Sequence, residues 1–318
     1  VETRIGKDVE YAKALLEKGE LVAIPTETVY GLAANALDMD SVIKIFEAKS
    51  RPLFDPLIVH IPNKDVVATY AESFPEWAND LAKEFWPGPL TIVLKKRGTI
   101  PDIVTSGLDS VGLRVPNHPL TLELLSSLSF PLAAPSANPF GYISPTTPRH
   151  VWEQLNTKIS YILDGGVCDI GVESTIIGEE QGKVVVYRLG GVSIPELEKV
   201  VGKVELRIQA GPKPISPGTL ESHYAPRHPL YLDQSVAVSQ VGLGALRFKT
   251  YMDGIPQANQ RVLSPSGNLH EAARNLFAAL RDLDKMEIEA IVAESVPETG
   301  LGLAINDRLK RASTPYKS

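Results

Sequence analysis

Leu21-Val22-Ala23-Ile24-Pro25-Thr26-Glu27-Thr28-Val29-Tyr30-Gly31-Leu32 decides the fold class of this 318-residue chain. Four apolar residues stopped by a proline have the length of a buried strand, and the polar residues that leave it belong to a loop. Just upstream, Asp8 can cap a helix whose Val9, Ala12, Leu15 and Leu16 follow helical spacing, with Gly19 as its stop. The chain therefore opens helix, strand, loop. Working outward, helices are expected at Ser41 to Lys49, around Trp77 to Phe85 ended by Pro87, and at Ile194 to Val201. Strand-like runs fall at 90–94, 111–115, 132–134, 161–163, 174–177 and 184–187. This alternation is an α/β pattern, and residues 1–204 form one mixed unit.

A proline- and glycine-rich stretch, Gln209-Ala210-Gly211-Pro212-Lys213-Pro214-Ile215-Ser216-Pro217-Gly218, can continue neither a helix nor a central strand. Residues 205–230 are read as a linker. Its Ser222-His223-Tyr224 is too specific for a plain spacer and is expected to touch the active site. Beyond it, a strand at 244–248, an amphipathic helix at 269–283, a strand at 290–293 and a helix at 305–311 predict a small open-sheet α/β domain over 231–318.

The composition is that of a globular protein, 43% hydrophobic and 22% charged, and its net charge of −6 draws it neither onto nucleic acid nor onto anionic membrane. A single cysteine, Cys168, excludes a disulfide framework, reads as core filler and fits a reducing cytoplasm. No apolar leader or spanning stretch is found, so a cytoplasmic protein away from membranes is expected. The histidines show no metal-ligand spacing, and no phosphate-binding loop, dinucleotide fingerprint or nucleophile elbow is present.

Four clusters carry chemistry. Lys49-Ser50-Arg51-Pro52-Leu53-Phe54-Asp55-Pro56, running to His60, offers an anion one point charge and one planar fork on a proline-stiffened loop; the alternative is a solvated charged loop. Thr26, Glu27, Thr28 and Tyr30 suit a zwitterion, or else form a capped turn leading to a helix. Ala133-Ala134-Pro135-Ser136-Ala137-Asn138-Pro139, with Ser144 following, allows a ligand close to the backbone and supplies neutral donors, or is an Asx-type turn. Arg114, Glu173-Ser174-Thr175 and Arg188-Leu189-Gly190-Gly191 repeat the pattern of polar residues at strand ends; for either arginine a surface salt bridge is the alternative.

Taken with Ser222-His223-Tyr224-Ala225-Pro226, these clusters resemble, in order and over nearly the whole length, the threonylcarbamoyl-AMP synthases, whose catalytic part is the YrdC-like domain. The resemblance implies a twisted mixed α/β sheet related to dihydroxybutanone-phosphate synthase, a linker crossing the active site, and a small Rossmann-like C-terminal domain. It implies condensation of L-threonine, bicarbonate and ATP to threonylcarbamoyl-adenylate with release of pyrophosphate. Mg2+ would accompany the ATP, with no protein side chain assigned as its ligand, and the product would pass to a tRNA threonylcarbamoyl transferase complex. Threonine would lie among Thr28, His60, Arg114, Ala134 and Ser174. ATP would meet Lys49, Arg51, Asp55, Ser136, Asn138, Ser144, Arg188 and Tyr224, with Lys49 and Arg51 also stabilising charge in the reaction. Asp55 departs from the asparagine common in the family, and beside phosphates it would have to face a ribose hydroxyl or magnesium.

The competing reading is an RNA-binding module of the same fold, using Lys49, Arg51, Lys95, Lys96 and Arg97 as a local basic patch. A hydrogenase-maturation carbamoyltransferase would need zinc fingers that a one-cysteine chain cannot build.

Overall fold

The computed structural model describes residues 2–208, 222–233 and 242–314. The main sheet contains β1 (Arg4–Gly6), β2 (Val22–Ile24), β3 (Gly31–Asn35), β4 (Ile58–His60), β5 (Leu90–Lys95), β6 (Ser110–Arg114), β7 (Leu132–Ala133), β8 (Tyr161–Leu163), β9 (Thr175–Glu180), β10 (Lys183–Arg188) and β11 (Glu205–Leu206). Their order across the sheet is β1-β8-β2-β3-β7-β4-β6-β5-β9-β10-β11. The sheet is mixed: β4 runs parallel to β6 and β5 parallel to β9, while β2–β3, β3–β7, β4–β7, β5–β6 and β9–β10 are antiparallel.

Alternation along β2 explains its two-sided burial. Val22 and Ile24 pack with Val9 and Leu16 of the helix Val9–Glu17 and with Leu124 and Leu125 of the helix Pro119–Ser127. Ala23 faces the larger core, where Val42, Ile45 and Phe46 of the helix Met39–Lys49 meet Leu81 of Glu76–Phe85 and Leu197 of Ile194–Val201. The expected Asp8 cap is present, its side chain accepting from Tyr11 N at 2.9 Å. The buried Cys168 belongs to the larger core.

The polar loop after β2 does not lead to a helix. Thr26 Oγ1 accepts from the amides of Thr28 and Val29 at 3.2 Å and donates to Val29 O at 2.6 Å, turning the chain back into β3. Elements beyond those expected include β1, β3, β4 and the helices Pro119–Ser127 and Pro148–Leu155.

The C-terminal unit carries a second sheet of β12 (Leu230–Leu232), β13 (Leu243–Arg247), β14 (Gln260–Val262) and β15 (Ala290–Ala293), ordered β12-β15-β13-β14 with every pair parallel. Leu276, Phe277 and Leu280 of the helix Leu269–Asp284 and Ile305 and Leu309 of Gly302–Ala312 form its core with Ile291. That core also takes in Val29, Ile143, Val172 and Tyr224, so the two units share apolar packing. At Gly171 they meet backbone to backbone, since a Cβ there would lie 2.5 Å from Ala273 O. Residues 209–221 of the expected linker lie outside the described residues. Among the described residues no helix is long and apolar enough to cross a membrane.

Candidate active site

β4 and β6 lie in parallel register with His60 opposite Arg114, and β7 pairs on the other side of β4, which brings Ala134 N onto Ile58 O at 3.0 Å. Ile58 and His60, two residues apart, point to one face, as strand pleating requires. A cavity of about 540 Å³, open solvent at its mouth included, lies over that face. Thr26, Thr28, Gly31, Arg51, His60, Arg114, Ala134, Ser136, Glu173, Ser174, Arg188, His223 and Tyr224 are among its lining residues. The strand-end rule therefore locates the site only in part. In a mixed sheet β4 and β7 run oppositely, so the ligand space spreads across the sheet face.

Of the residues expected for threonine, Thr28, His60, Arg114, Ala134 and Ser174 all line this cavity. Arg114 is not a surface ion pair: it is 4% exposed, pairs with Glu27 Oε1 at 2.8 Å and donates to Thr28 Oγ1 at 2.9 Å. Glu27 is fixed in turn by Asn117 N, 2.9 Å from its Oε2. Burial, then the neighbouring Arg114 charge, pushes the His60 imidazole down to about 3, so the ring is neutral at physiological pH.

Of the residues expected for nucleotide, Arg51, Ser136, Arg188 and Tyr224 line the cavity, whereas Lys49, Asp55, Asn138 and Ser144 are buried without being part of its lining. Lys49 and Arg51 are thus not a solvated charge run. Lys49 is 1% exposed and donates to Ser136 O and Asn138 O, each at 2.5 Å, clamping the end of its helix to the 135–139 loop. Burial and the Arg51 charge push its ammonium well below the usual lysine range, with Asp55 opposing. Asp55 faces Arg51 within its own loop: its Oδ2 lies 2.8 Å from Arg51 NH2, which with Nε also bonds Pro56 O and Asp55 O. An aspartate is accommodated here because Arg51 stands opposite it inside the same loop. Asn138 ties its own turn, donating to Pro139 O and Tyr142 O at 2.8 Å. Ser144 Oγ donates to Glu173 Oε1 at 2.6 Å.

Arg188 also lies inside the protein, 4% exposed, with Nε and NH2 on Ser174 O. Burial would raise the Glu173 carboxyl, but Arg308, Arg188 and the Ser144 hydroxyl outweigh that and hold it below its usual range. Tyr224 adopts a left-handed backbone, φ 63°, and is 1% exposed. Its ring packs edge-on to His223 at 4.1 Å and stacks on Phe277 at 5.5 Å. Among the described residues, the Tyr224 hydroxyl and the Nδ1 atoms of His60 and His223 are buried without hydrogen-bond partners. Three orphaned polar atoms around one cavity mark a place for a polar ligand.

His223 lines the cavity, in keeping with the expectation for Ser222-His223-Tyr224, whereas the lining role of Glu173 and the place of Glu27 behind Arg114 were not anticipated. Arg281 and Arg308, which brace the wall from the C-terminal unit, gave no sequence signal. The five residues do not form one surface patch: Lys49 and Arg51 are buried, while Lys95 pairs with Glu72, Lys96 with Asp102, and Arg97 Nε bonds Ala71 O.

A family model described as "Telomere recombination" (Sua5, YciO and YrdC) matches residues 14–190, and one described as "Threonylcarbamoyl-AMP synthase, C-terminal domain" matches residues 192–314. The chain is 40% identical to the threonylcarbamoyl-AMP synthase of Pyrococcus abyssi, over 96% of this chain and 94% of that protein. It is 40% identical to the enzyme of the same name from Bacillus subtilis, over 96% of this chain and 92% of that protein. The crystal structure of P. abyssi Sua5 complexed with L-threonine superposes with a TM-score of 0.89 at 38% identity, covering 98% of this chain and 97% of that one. Matches of this length across both units mean that the chain belongs to the threonylcarbamoyl-AMP synthase family in its two-domain Sua5 form.

Proposed function

We propose that this enzyme is a nucleotidyltransferase that joins L-threonine, bicarbonate and ATP into threonylcarbamoyl-adenylate. The observation that carries the reading is a cavity combining three buried arginines with unpartnered polar atoms of His60, His223 and Tyr224, in a chain that matches a threonine-bound relative over almost its full length. Arg114, already oriented by Glu27 and Thr28, suits the threonine carboxylate. Neutral His60 beside it suits the hydroxyl or amine of the same molecule. Arg51 and Arg188 supply fixed positive charge for phosphate oxygens, with Ser136 as a neutral donor and Tyr224 against the nucleotide.

The balance of the reaction is simple. Threonine's ammonium releases a proton to solvent, and the free amine nitrogen bonds the bicarbonate carbon, with water leaving to give the carbamate. A carbamate oxygen then bonds the α-phosphorus as the bond to the β-phosphate oxygen breaks and pyrophosphate leaves. Positioning and exclusion of water carry much of the catalysis, because the carbamate is unstable in water. Among the described residues no cluster of three or more His, Cys, Asp or Glu could hold a metal ion. Magnesium is proposed to enter on the ATP phosphates, whose charge it would neutralise. The product would pass to a tRNA-modifying transferase complex.

Pyrophosphate release tests the reading, measured with ATP, magnesium and bicarbonate against threonine, serine and no amino acid. Release requiring both threonine and bicarbonate, with serine much poorer, is expected; release indifferent to threonine overturns it.

A further inference from the structure

Two guanidinium groups of the C-terminal unit reach into the catalytic unit and converge on one hydrogen bond. Arg308, fully buried, donates from Nε to Glu173 Oε2 at 2.8 Å and from NH2 to Leu189 O at 2.8 Å. Its third arm meets Asp307 at 2.7 Å, and its guanidinium carbon lies 5.1 Å from the centre of the Tyr224 ring. Arg281, 1% exposed, donates to Ser144 O at 3.2 Å, to Ile143 O and to Gln154 Oε1 at 2.9 Å. Ser144 Oγ is the donor to the other oxygen of Glu173. The Ser144–Glu173 bond is thus held from both sides.

Adhesion between the units does not rest on these arginines alone. The shared apolar cluster is a second source of adhesion, and a buried guanidinium is costly unless it is paired and fully hydrogen-bonded, as Arg308 is. The groups served are on the cavity wall: Glu173, adjoining Ser174, and the Tyr224 ring. Glu173 is an anion beside arginines that the proposed reaction needs for substrate anions. Left uncompensated, its carboxylate would swing toward those arginines and compete with the substrate.

We infer that Arg308 is a positioning residue for the nucleotide: by engaging Glu173 it keeps that carboxylate from competing with ATP for the cavity arginines, so the C-terminal unit tunes substrate binding. The inference rests on the adenylate-forming reading above.

A double-mutant cycle tests it, using wild type, Glu173→Gln, Arg308→Gln, the double variant and Arg308→Lys in the full chain, with KM for ATP and kcat read separately. Arg308→Gln is expected to raise KM for ATP by about tenfold, more than it lowers kcat. The double variant is expected within about threefold of Glu173→Gln alone, because a neutral side chain no longer needs its partner. Arg308→Lys, which keeps the charge, is expected to fall between wild type and Arg308→Gln. Additive effects, or a loss confined to kcat, overturn the inference. Should Arg308→Gln fail to fold, the comparison of the double variant with Glu173→Gln remains decisive, and a large further loss there overturns it. A wild-type protein that releases no pyrophosphate defeats the function reading instead. The same cycle is then read from the ATP-induced shift in melting temperature, which needs no turnover.

Discussion

Arg114 NH2 stands 2.8 Å from Glu27 Oε1, and this buried pair links the loop after β2 to the end of β6. The carboxylate therefore sets the direction of a guanidinium proposed to receive threonine. Glu27→Gln retains an acceptor for Asn117 N but removes the charge. A rise of about tenfold or more in KM for threonine is expected, with a smaller change in KM for ATP. Unchanged threonine affinity would take Arg114 out of carboxylate binding.

Arg51 and Asp55 make a different kind of pair, since both are almost wholly enclosed and Asp55 is 0% exposed. Burial raises the Asp55 carboxyl above its usual range against the pull of Arg51. Arg51→Ala strands that group and should lower stability by about 3–5 kcal/mol. Adding Asp55→Asn is expected to restore most of the stability but not pyrophosphate release. Recovery of both in the double variant would show that Arg51 serves the loop alone.

Stability should fall as the pH drops below the ordinary histidine range. His60 and His150 are held down to about 3 and His223 well below its usual value, in each case chiefly by burial. Above the unfolded histidine value near 6.5, neither folded nor unfolded chain protonates these rings and they add no slope. Below it the unfolded chain binds protons that the folded protein refuses. His60 and His150 therefore each remove about 1.4 kcal/mol per pH unit down toward 3, and His223 acts in the same direction. Urea midpoints at pH 7.5, 6 and 5 measure the slope, and His150→Asn should reduce it. A flat profile would mean that the rings reach solvent.

Tyr224→Phe isolates the hydroxyl, which has no hydrogen-bond partner among the described residues, from a ring that packs between His223 and Phe277. Stability is expected to change by less than about 0.5 kcal/mol. Catalytic efficiency should fall about fivefold to tenfold through lost ligand contact. A marked loss of stability with normal efficiency would assign the hydroxyl a structural task.

Much of the architecture was legible because local chemistry and tertiary packing agree. Asp8 caps as its position requires, and Ile194–Val201 follows Ser193 and Pro195 into a helix. The helix Pro119–Ser127 was not read because Leu120, Leu122, Leu124 and Leu125 give no clean helical stripe. β3 was hidden because Gly31, Ala33 and Ala34 have weak strand preference, and pairing on both sides decides for them. Site residues in motifs were found, but which charges face the cavity was not. Lys49, Arg51 and Asp55 look alike in sequence as a polar loop, and only the fold shows Lys49 spent on two carbonyls and Asp55 on Arg51. Arg308 sits in a run of charged residues, Asp307, Arg308, Lys310 and Arg311, that reads in sequence as a solvated helix face, so its burial against Glu173 had no local signature.

The pairing of β1 and β2 with β8 bears on how the protein is made. Residues 4–6 and 22–23 find their partners at 161–163, and 90–92 find theirs at 175–177. At about 5–20 residues per second, a ribosome takes roughly 10–30 s to deliver β8 after β1, and throughout that wait the strand edges stay open. Closure of the catalytic sheet is therefore a late event in synthesis, and the nascent first half, rather than the finished enzyme, is the form most exposed to aggregation and most in need of chaperone protection.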